Sequence, residues 1–239
     1  MPPKRLNILQ LYPAEMNIYG DWGNVLALKR RAEWHGYEPH ILTYEPGQDF
    51  PVADLIVGGG GQDSGQLKIK DDLFAIGPKL HELAAAGTPM LMICGLYQLF
   101  GHYFQTSDGM QLNGIGLFDA HTTASSERLI GNIIVRTEEF GDIVGYENHS
   151  GQTYLGGATK PLGKVVKGAG NNGKDGYEGA RTQNVFGSYL HGSILPKNPV
   201  FADELLKLAA YKRHGSFEPS TIDDSLAQRA REIAMRRPR

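Results

Sequence analysis

Four short apolar-rich runs separated by helical stretches limit this chain more than any other feature. Residues 6–11 (LNILQL), 40–44 (HILTY), 54–57 (DLIV) and 90–93 (MLMI) are each bounded by Gly, Pro or polar turn residues. A strand apolar on both faces offers no side to water, so it belongs inside a parallel sheet covered by helices on both faces. Between the runs, residues 21–34 carry Trp22, Val25, Leu26 and Leu28 near helical spacing and stop at Gly36. Residues 71–86 read as a second helix, ended by Gly87 and Pro89. The order predicts an α/β chain with a doubly wound, flavodoxin-like, mostly parallel sheet.

Past Gly109 the texture changes. Residues 129–135, 142–146, 162–166 and 185–190 are strand candidates between Gly- and Asn-rich turns, expected to form an antiparallel extension that returns to the main sheet. Residues 198–214 read as a helix with Asn198 as N-cap, Pro199 at the first helical position and Gly215 beyond the end. The expected division is one domain over 1–214 and a basic tail over 215–239. Its arginines, Arg229, Arg231, Arg236, Arg237 and Arg239, suit a solvated segment or a short amphipathic helix.

With 24 Lys and Arg against 26 Asp and Glu, the chain of 239 residues has a net charge of −2, so no general positive field gathers nucleic acid or anionic lipid. No apolar run approaches the roughly 18–20 residues of a membrane span. The first residues lack a signal-peptide core, so a cytoplasmic location is expected. Cys94 is the only cysteine, which leaves no disulfide and no thiolate-cluster metal site; no metal is expected.

Three segments can carry chemistry. Cys94 falls where the strand 90–93 turns into the apolar helix of Leu96, Leu99 and Phe100, with Gly95 at the junction. Such a corner presents a nucleophile at the carboxyl end of the sheet, and a helix amino terminus favours thiolate. Buried filler is the competing reading, because free cysteine is among the most buried residue types. Residues 58–66 (GGGGQDSGQ) let backbone amides approach a ligand. They are no P-loop, since Gln66 stands where that motif needs lysine; an oxyanion hole shared with Gly95 or a plain flexible turn both fit. His191 ends the strand candidate at 185–190 and is followed by glycine, while His149 sits among turn residues; either is a candidate base.

Together these segments resemble the class I glutamine amidotransferases of the cobyric acid synthase-like branch. Residues 94–101 (CGLYQLFG) are similar to that branch's C-G-x-Y-Q-x-x-G, residues 145–149 (GYENH) to its G-Y-E-x-H, and residues 189–192 (YLHG) to its Y-x-H-G. The length, residues 11–21, the Gly-rich loop and residues 190–199 look like the small glutaminase subunits of lipid II isoglutaminyl synthases. The likeness covers about residues 5–214.

The resemblance implies the class I amidotransferase fold, with Cys94 as nucleophile, His191 as base, and the amides of Gly60, Gly61 and Gly95 as oxyanion hole. Gln98 would touch the bound glutamine and Arg128 would grip its α-carboxylate. Two departures stand out: Met92 and Leu96 flank the elbow where the branch has small residues, and Ser193 stands where other class I enzymes carry the third, acidic triad member. A partner is therefore expected to complete or align the site.

The implied activity is hydrolysis of L-glutamine to glutamate and ammonia through a cysteinyl thioester. With no nucleotide loop here, ATP and Mg belong to a Mur-ligase-like synthetase subunit, joined in a heterodimer, that amidates the D-glutamate α-carboxylate of the lipid II stem peptide. The alternatives are a cysteine hydrolase or peptidase on a similar sheet, a glutaminase subunit serving another acceptor such as a cobyrinic acid, and a non-catalytic module holding a small anion.

Overall fold

The computed structural model describes residues 3–191 and 193–238; Gly192 of the His191 motif and the terminal Arg239 lie outside them. The first half alternates strand and helix: β1 (Arg5–Leu11), α1 (Gly23–Trp34), β2 (Glu38–Tyr44), β3 (Leu55–Gly58), α2 (Asp63–Ala85), β4 (Met90–Ile93) and α3 (Gly95–Leu99). The second half adds β5 (Tyr103–Gln105), β6 (Gln111–Asn113), β7 (Ala120–Arg136), β8 (Asp142–Leu155), β9 (Gly163–Lys167), β10 (Tyr177–Glu178), β11 (Ala180–Thr182), β12 (Val185–Ser188) and β13 (Leu190–His191), then α4 (Pro199–His214) and α5 (Ser225–Arg236).

The main sheet runs β11-β12-β4-β3-β1-β2. All neighbours are parallel except β11, which pairs antiparallel with β12. This is the doubly wound order read from the apolar runs, and β3 and β4 are buried along their whole length. Register brings three strand ends to one edge, since Gly58 pairs with Met92 and Ile93 with Ser188. The Gly-rich loop, Cys94 and the segment leading to His191 therefore leave the sheet side by side, at the carboxyl ends where ligands bind in folds of this type.

The second sheet is built on the long antiparallel pair β7 and β8, irregular between Ala124 and Leu129. Its strands extend well beyond the apolar stretches read as strands, because polar pairs also bury: Thr122 and Thr153 hydroxyls meet at 2.7 Å. β13 pairs with β8, setting His191 opposite Tyr146, so this sheet returns the chain to the main one.

Two helices differ from expectation. α2 begins already at Asp63, so Gln66 lies on a helix and reaches inward. α4 has the expected bounds, with Gly215 left-handed at its end (φ 74°), but Asn198 makes no side-chain cap. Its amide instead grips β8, Oδ1 accepting from Val144 N at 2.9 Å and Nδ2 donating to Val144 O at 2.9 Å.

Residues 225–236 form the helix α5, packed against β7 and β8. It is anchored through Arg31, which is 5% exposed. The guanidinium takes Asp203 in a two-pronged pair at 2.5 and 2.7 Å and Asp224, the residue before α5, at 2.6 and 3.0 Å. Burial works against its charge, and the two carboxylates outweigh it. Replacing a buried member of such a cluster strands its partners. Arg31→Met is expected to lower the unfolding free energy by roughly 2–3 kcal/mol and to speed amide exchange across α5; unchanged exchange there would show that Arg31 does not anchor the segment.

Candidate active site

Cys94 sits between β4 and α3 with φ 50° and ψ −102°, a backbone conformation that a residue with a side chain adopts at a cost of about 1–3 kcal/mol. Its neighbours impose it. Cys94 N donates to Ser188 O at 2.8 Å, continuing the pairing of β4 with β12, while Gln98 N donates to Cys94 O at 3.0 Å, starting the helix at once. The large residues flanking the elbow are accommodated by Gly58: a Cβ there would come within 2.3 Å of Leu96 Cδ1 and 2.8 Å of Met92 Sδ. α3 spans only five residues, too few for its dipole to do much for a thiolate, so the charge partner must be a side chain.

That side chain is His191, 1% exposed. Its Nδ1 lies 3.3 Å from Asp21 Oδ1, and Asp21 Oδ2 accepts the Gly60 amide at 2.7 Å. Its Nε2 is buried with no hydrogen-bond partner among the described residues. Burial disfavours the imidazolium, yet the charge of Cys94 and the Asp21 carboxylate outweigh it and push the pKa up to about 10. A Cβ on Gly60 would lie 3.0 Å from both Cys94 Cβ and His191 Cε1, so only glycine lets thiol and imidazole share this corner.

Asp21 is the residue that sequence reasoning missed. With Ser193 where other class I enzymes carry the acid, the sequence leads to the expectation that a partner completes or aligns the site; within the chain itself, the carboxylate of Asp21 in the turn before α1, 2% exposed, faces His191. The Gly60 expectation also changes: its N–H is engaged by Asp21, so Gly60 spaces the site and is not left to hold an oxyanion. Gly61 and Gly95 remain. As the first residue of α3, Gly95 has its amide outside the helical ladder, and a Cβ built on it would lie 3.0 Å from Gly61 N.

Cys94 opens onto a cavity of about 380 Å³ that Gln98, Arg128 and His149 also line. Gln98 is buried and fixed, accepting from Gln66 Nε2 at 2.8 Å and donating to Tyr189 Oη at 3.1 Å. Arg128 stands at the rim, Nε donating to Asn148 Oδ1 at 2.7 Å and Nη2 to Tyr19 Oη at 3.4 Å. Tyr19, with positive φ (59°), lies edge-on to His191 at 4.9 Å and covers the imidazole. His149 is 3% exposed, its pKa lowered to about 4, chiefly by burial.

Residues 7–199 match the model of the CobB/CobQ-like glutamine amidotransferase domain. The chain is 38% identical to the lipid II isoglutaminyl synthase (glutamine-hydrolyzing) subunit GatD of Staphylococcus aureus, over 97% of this chain and 96% of that one. It is 33% identical to a probable cobyric acid synthase of Methanococcus maripaludis, over 86% of this chain but only 43% of the larger protein. A solved structure described as a glutamine amidotransferase matches with a TM-score of 0.57 at 15% identity, covering 84% of this chain and 98% of its own, a likeness of fold alone.

The two buried histidines at the site, His149 and His191, should titrate far apart. A pKa raised to about 10 keeps His191 protonated through neutrality, and one lowered to about 4 keeps His149 neutral. Imidazole 15N NMR at pH 7 is expected to show this split, with Asp21→Asn lowering the His191 midpoint by about 1 unit or more. A neutral His191, or a midpoint indifferent to Asp21→Asn, would contradict the electrostatics described.

Proposed function

Because the chain belongs to the CobB/CobQ-like glutamine amidotransferase family, we propose that it is the glutamine-hydrolysing subunit of a lipid II isoglutaminyl synthase, acting through Cys94. The observation that carries this reading is the convergence of Cys94, His191 and Asp21 at one strand edge beside a cavity of amino-acid size. The near full-length match to the staphylococcal subunit supports it over a cobyrinic acid acceptor, since the matched cobyric acid synthase is more than twice as long.

The thiolate of Cys94 attacks the carboxamide carbon of glutamine, and the oxygen that becomes negative meets the amides of Gly61 and Gly95. The tetrahedral adduct collapses as His191 gives its proton to the departing nitrogen, releasing ammonia and leaving a glutamyl thioester. The now neutral imidazole takes a proton from water, whose hydroxide adds to the thioester; collapse expels the thiolate and frees glutamate. Asp21 touches neither substrate nor sulfur. It holds Nδ1 in its protonated form, so that Nε2 is the atom that exchanges protons, and it steadies the imidazolium. Arg128 has the donor geometry for a carboxylate, and Gln98 lines the path between them.

Ammonia made here needs a carboxylate activated elsewhere. The proposed partner is a Mur-ligase-like synthetase that binds ATP and Mg and amidates the D-glutamate α-carboxylate of the lipid II stem peptide. No helix among the described residues is long and apolar enough to cross a membrane, so contact with the lipid-linked acceptor is assigned to that partner.

With the orienting acid in its own chain, the isolated protein is expected to release glutamate from free glutamine. Cys94→Ala should abolish this, and Asp21→Asn should lower kcat by at least about tenfold, roughly 1.4 kcal/mol of barrier, with KM little changed. An isolated chain that cleaves reporter peptides and leaves glutamine untouched would refute the reading.

A further inference from the structure

Ser193, two residues past the imidazole, has a backbone that a side chain disfavours: its φ is 47°. Glycine adopts that region freely, whereas a residue with a Cβ does so at a cost, so what the serine side chain contacts is informative. Its Oγ donates to Gly20 O at 2.9 Å, joining stretches 173 residues apart. Gly23 makes the room, since a Cβ there would lie 2.2 Å from Ser193 Oγ. The same stretches meet at two further points. His191 Nδ1 faces Asp21 Oδ1 at 3.3 Å, and Leu195 N donates to Asn24 Oδ1 at 3.0 Å in the interior. The turn from Gly20 to Asn24 is thus tied to His191, Ser193 and Leu195.

The carbonyl that Ser193 holds belongs to the peptide unit that ends at Asp21 Cα. A peptide is planar, so fixing its oxygen fixes the direction in which the chain enters Asp21. Tyr19 and Gly20 both have positive φ (59° and 75°), a double turn with glycine's freedom at the residue before the acid. Other ties on this loop, from Ile18 N to Gly60 O and from Asn148 Nδ2 to Tyr19 Oη, both at 2.9 Å, lie on the far side of Gly20 from Asp21. Asp21 itself is held at Oδ2 by Gly60 N at 2.7 Å and at its carbonyl by Asn24 N at 2.9 Å. Ser193 supplies a further point, on the peptide that precedes the acid. The contact of Asp21 with His191, at 3.3 Å, is longer than an ordinary N–H···O bond and so is sensitive to small shifts of the carboxylate.

We propose that Ser193 is a positioning residue for the glutaminase site: by holding the Gly20 carbonyl, its hydroxyl sets the Asp21 carboxylate against His191 Nδ1. It touches neither substrate nor sulfur and acts through the acid alone. The segment that delivers the imidazole thus also carries the hydroxyl that fastens the imidazole's orienting acid, drawn from the first turn of the chain's α/β half. The inference rests on the glutaminase reading and deepens it.

The test is a double-mutant cycle in the full chain, with Ser193→Gly and Asp21→Asn made singly and together. Ser193→Gly removes the hydroxyl and with it the strain of a positive φ, so the fold is spared. It should lower kcat for glutamine at least about threefold with KM little changed, and lower the His191 midpoint in 15N NMR by about half a unit or more. In the Asp21→Asn background the same substitution should change kcat by less than about twofold, because its effect passes through a carboxylate no longer present. Equal losses of kcat in the two backgrounds overturn the proposal, and so does a His191 midpoint unmoved by Ser193→Gly. A lower melting temperature with kcat and midpoint intact marks a purely structural bond and overturns it as well. Failure of the glutaminase reading looks different: the wild-type chain leaves glutamine untouched, while the His191 midpoint, read without substrate, still decides whether Ser193 acts through Asp21.

Discussion

The left-handed backbone at Cys94 is the constraint around which the molecule is arranged. One residue must end a buried strand, turn sharply and begin a helix, and the conformation that does so is costly for any side chain. The sheet makes it affordable. β4 is clamped between β3 and β12, the Ser188 carbonyl takes the Cys94 amide, and Gly58 vacates the room that Met92 and Leu96 fill. Gly60 and Gly95 vacate the room on the other side, where the imidazole and the Gly61 amide approach.

Electrostatics complete what geometry begins. His191 is enclosed, and enclosure alone would strip its charge; the neighbouring Cys94 and Asp21 side chains reverse that outcome. His149, which lines the cavity, has no carboxylate beside it among the described residues and goes the other way, chiefly through burial. Two buried imidazoles are thus pushed in opposite directions by what surrounds them, His191 toward the charged form and His149 toward the neutral one. The Gly60 amide links backbone and charge: it holds Asp21, which holds His191.

The parallel sheet was legible because β3 and β4 are apolar on both faces, a pattern few other environments tolerate. The elbow was legible for the same reason, as an apolar strand meeting an apolar helix at Cys94. Motif likeness, more than spacing, singled out His191 from His149, since both end in glycine-bearing turns. What stayed hidden was long-range and polar. Asp21 lies 170 residues from the histidine it orients, in a turn with no periodicity to mark it. The early start of α2 was masked by the glycine of Gly65, and the extent of β7 by its run of Thr and Ser, where the Thr122 hydroxyl finds its Thr153 partner only once β8 is in place. Asn198 carried a correct helix boundary for an incomplete reason, because its side chain serves β8 instead of the helix.

The account stands on Cys94 forming a covalent bond to substrate beside His191. Rapid acid quenching of the chain during turnover with glutamine, followed by mass spectrometry of its peptides, reads that bond directly. The expected result is one glutamyl group on the peptide that carries Cys94, and none when His191 is replaced by Ala, because the departing nitrogen then has no proton donor. Glutamate released at an undiminished rate by Cys94→Ala, with no glutamyl adduct on any peptide of the unmodified chain, would contradict it.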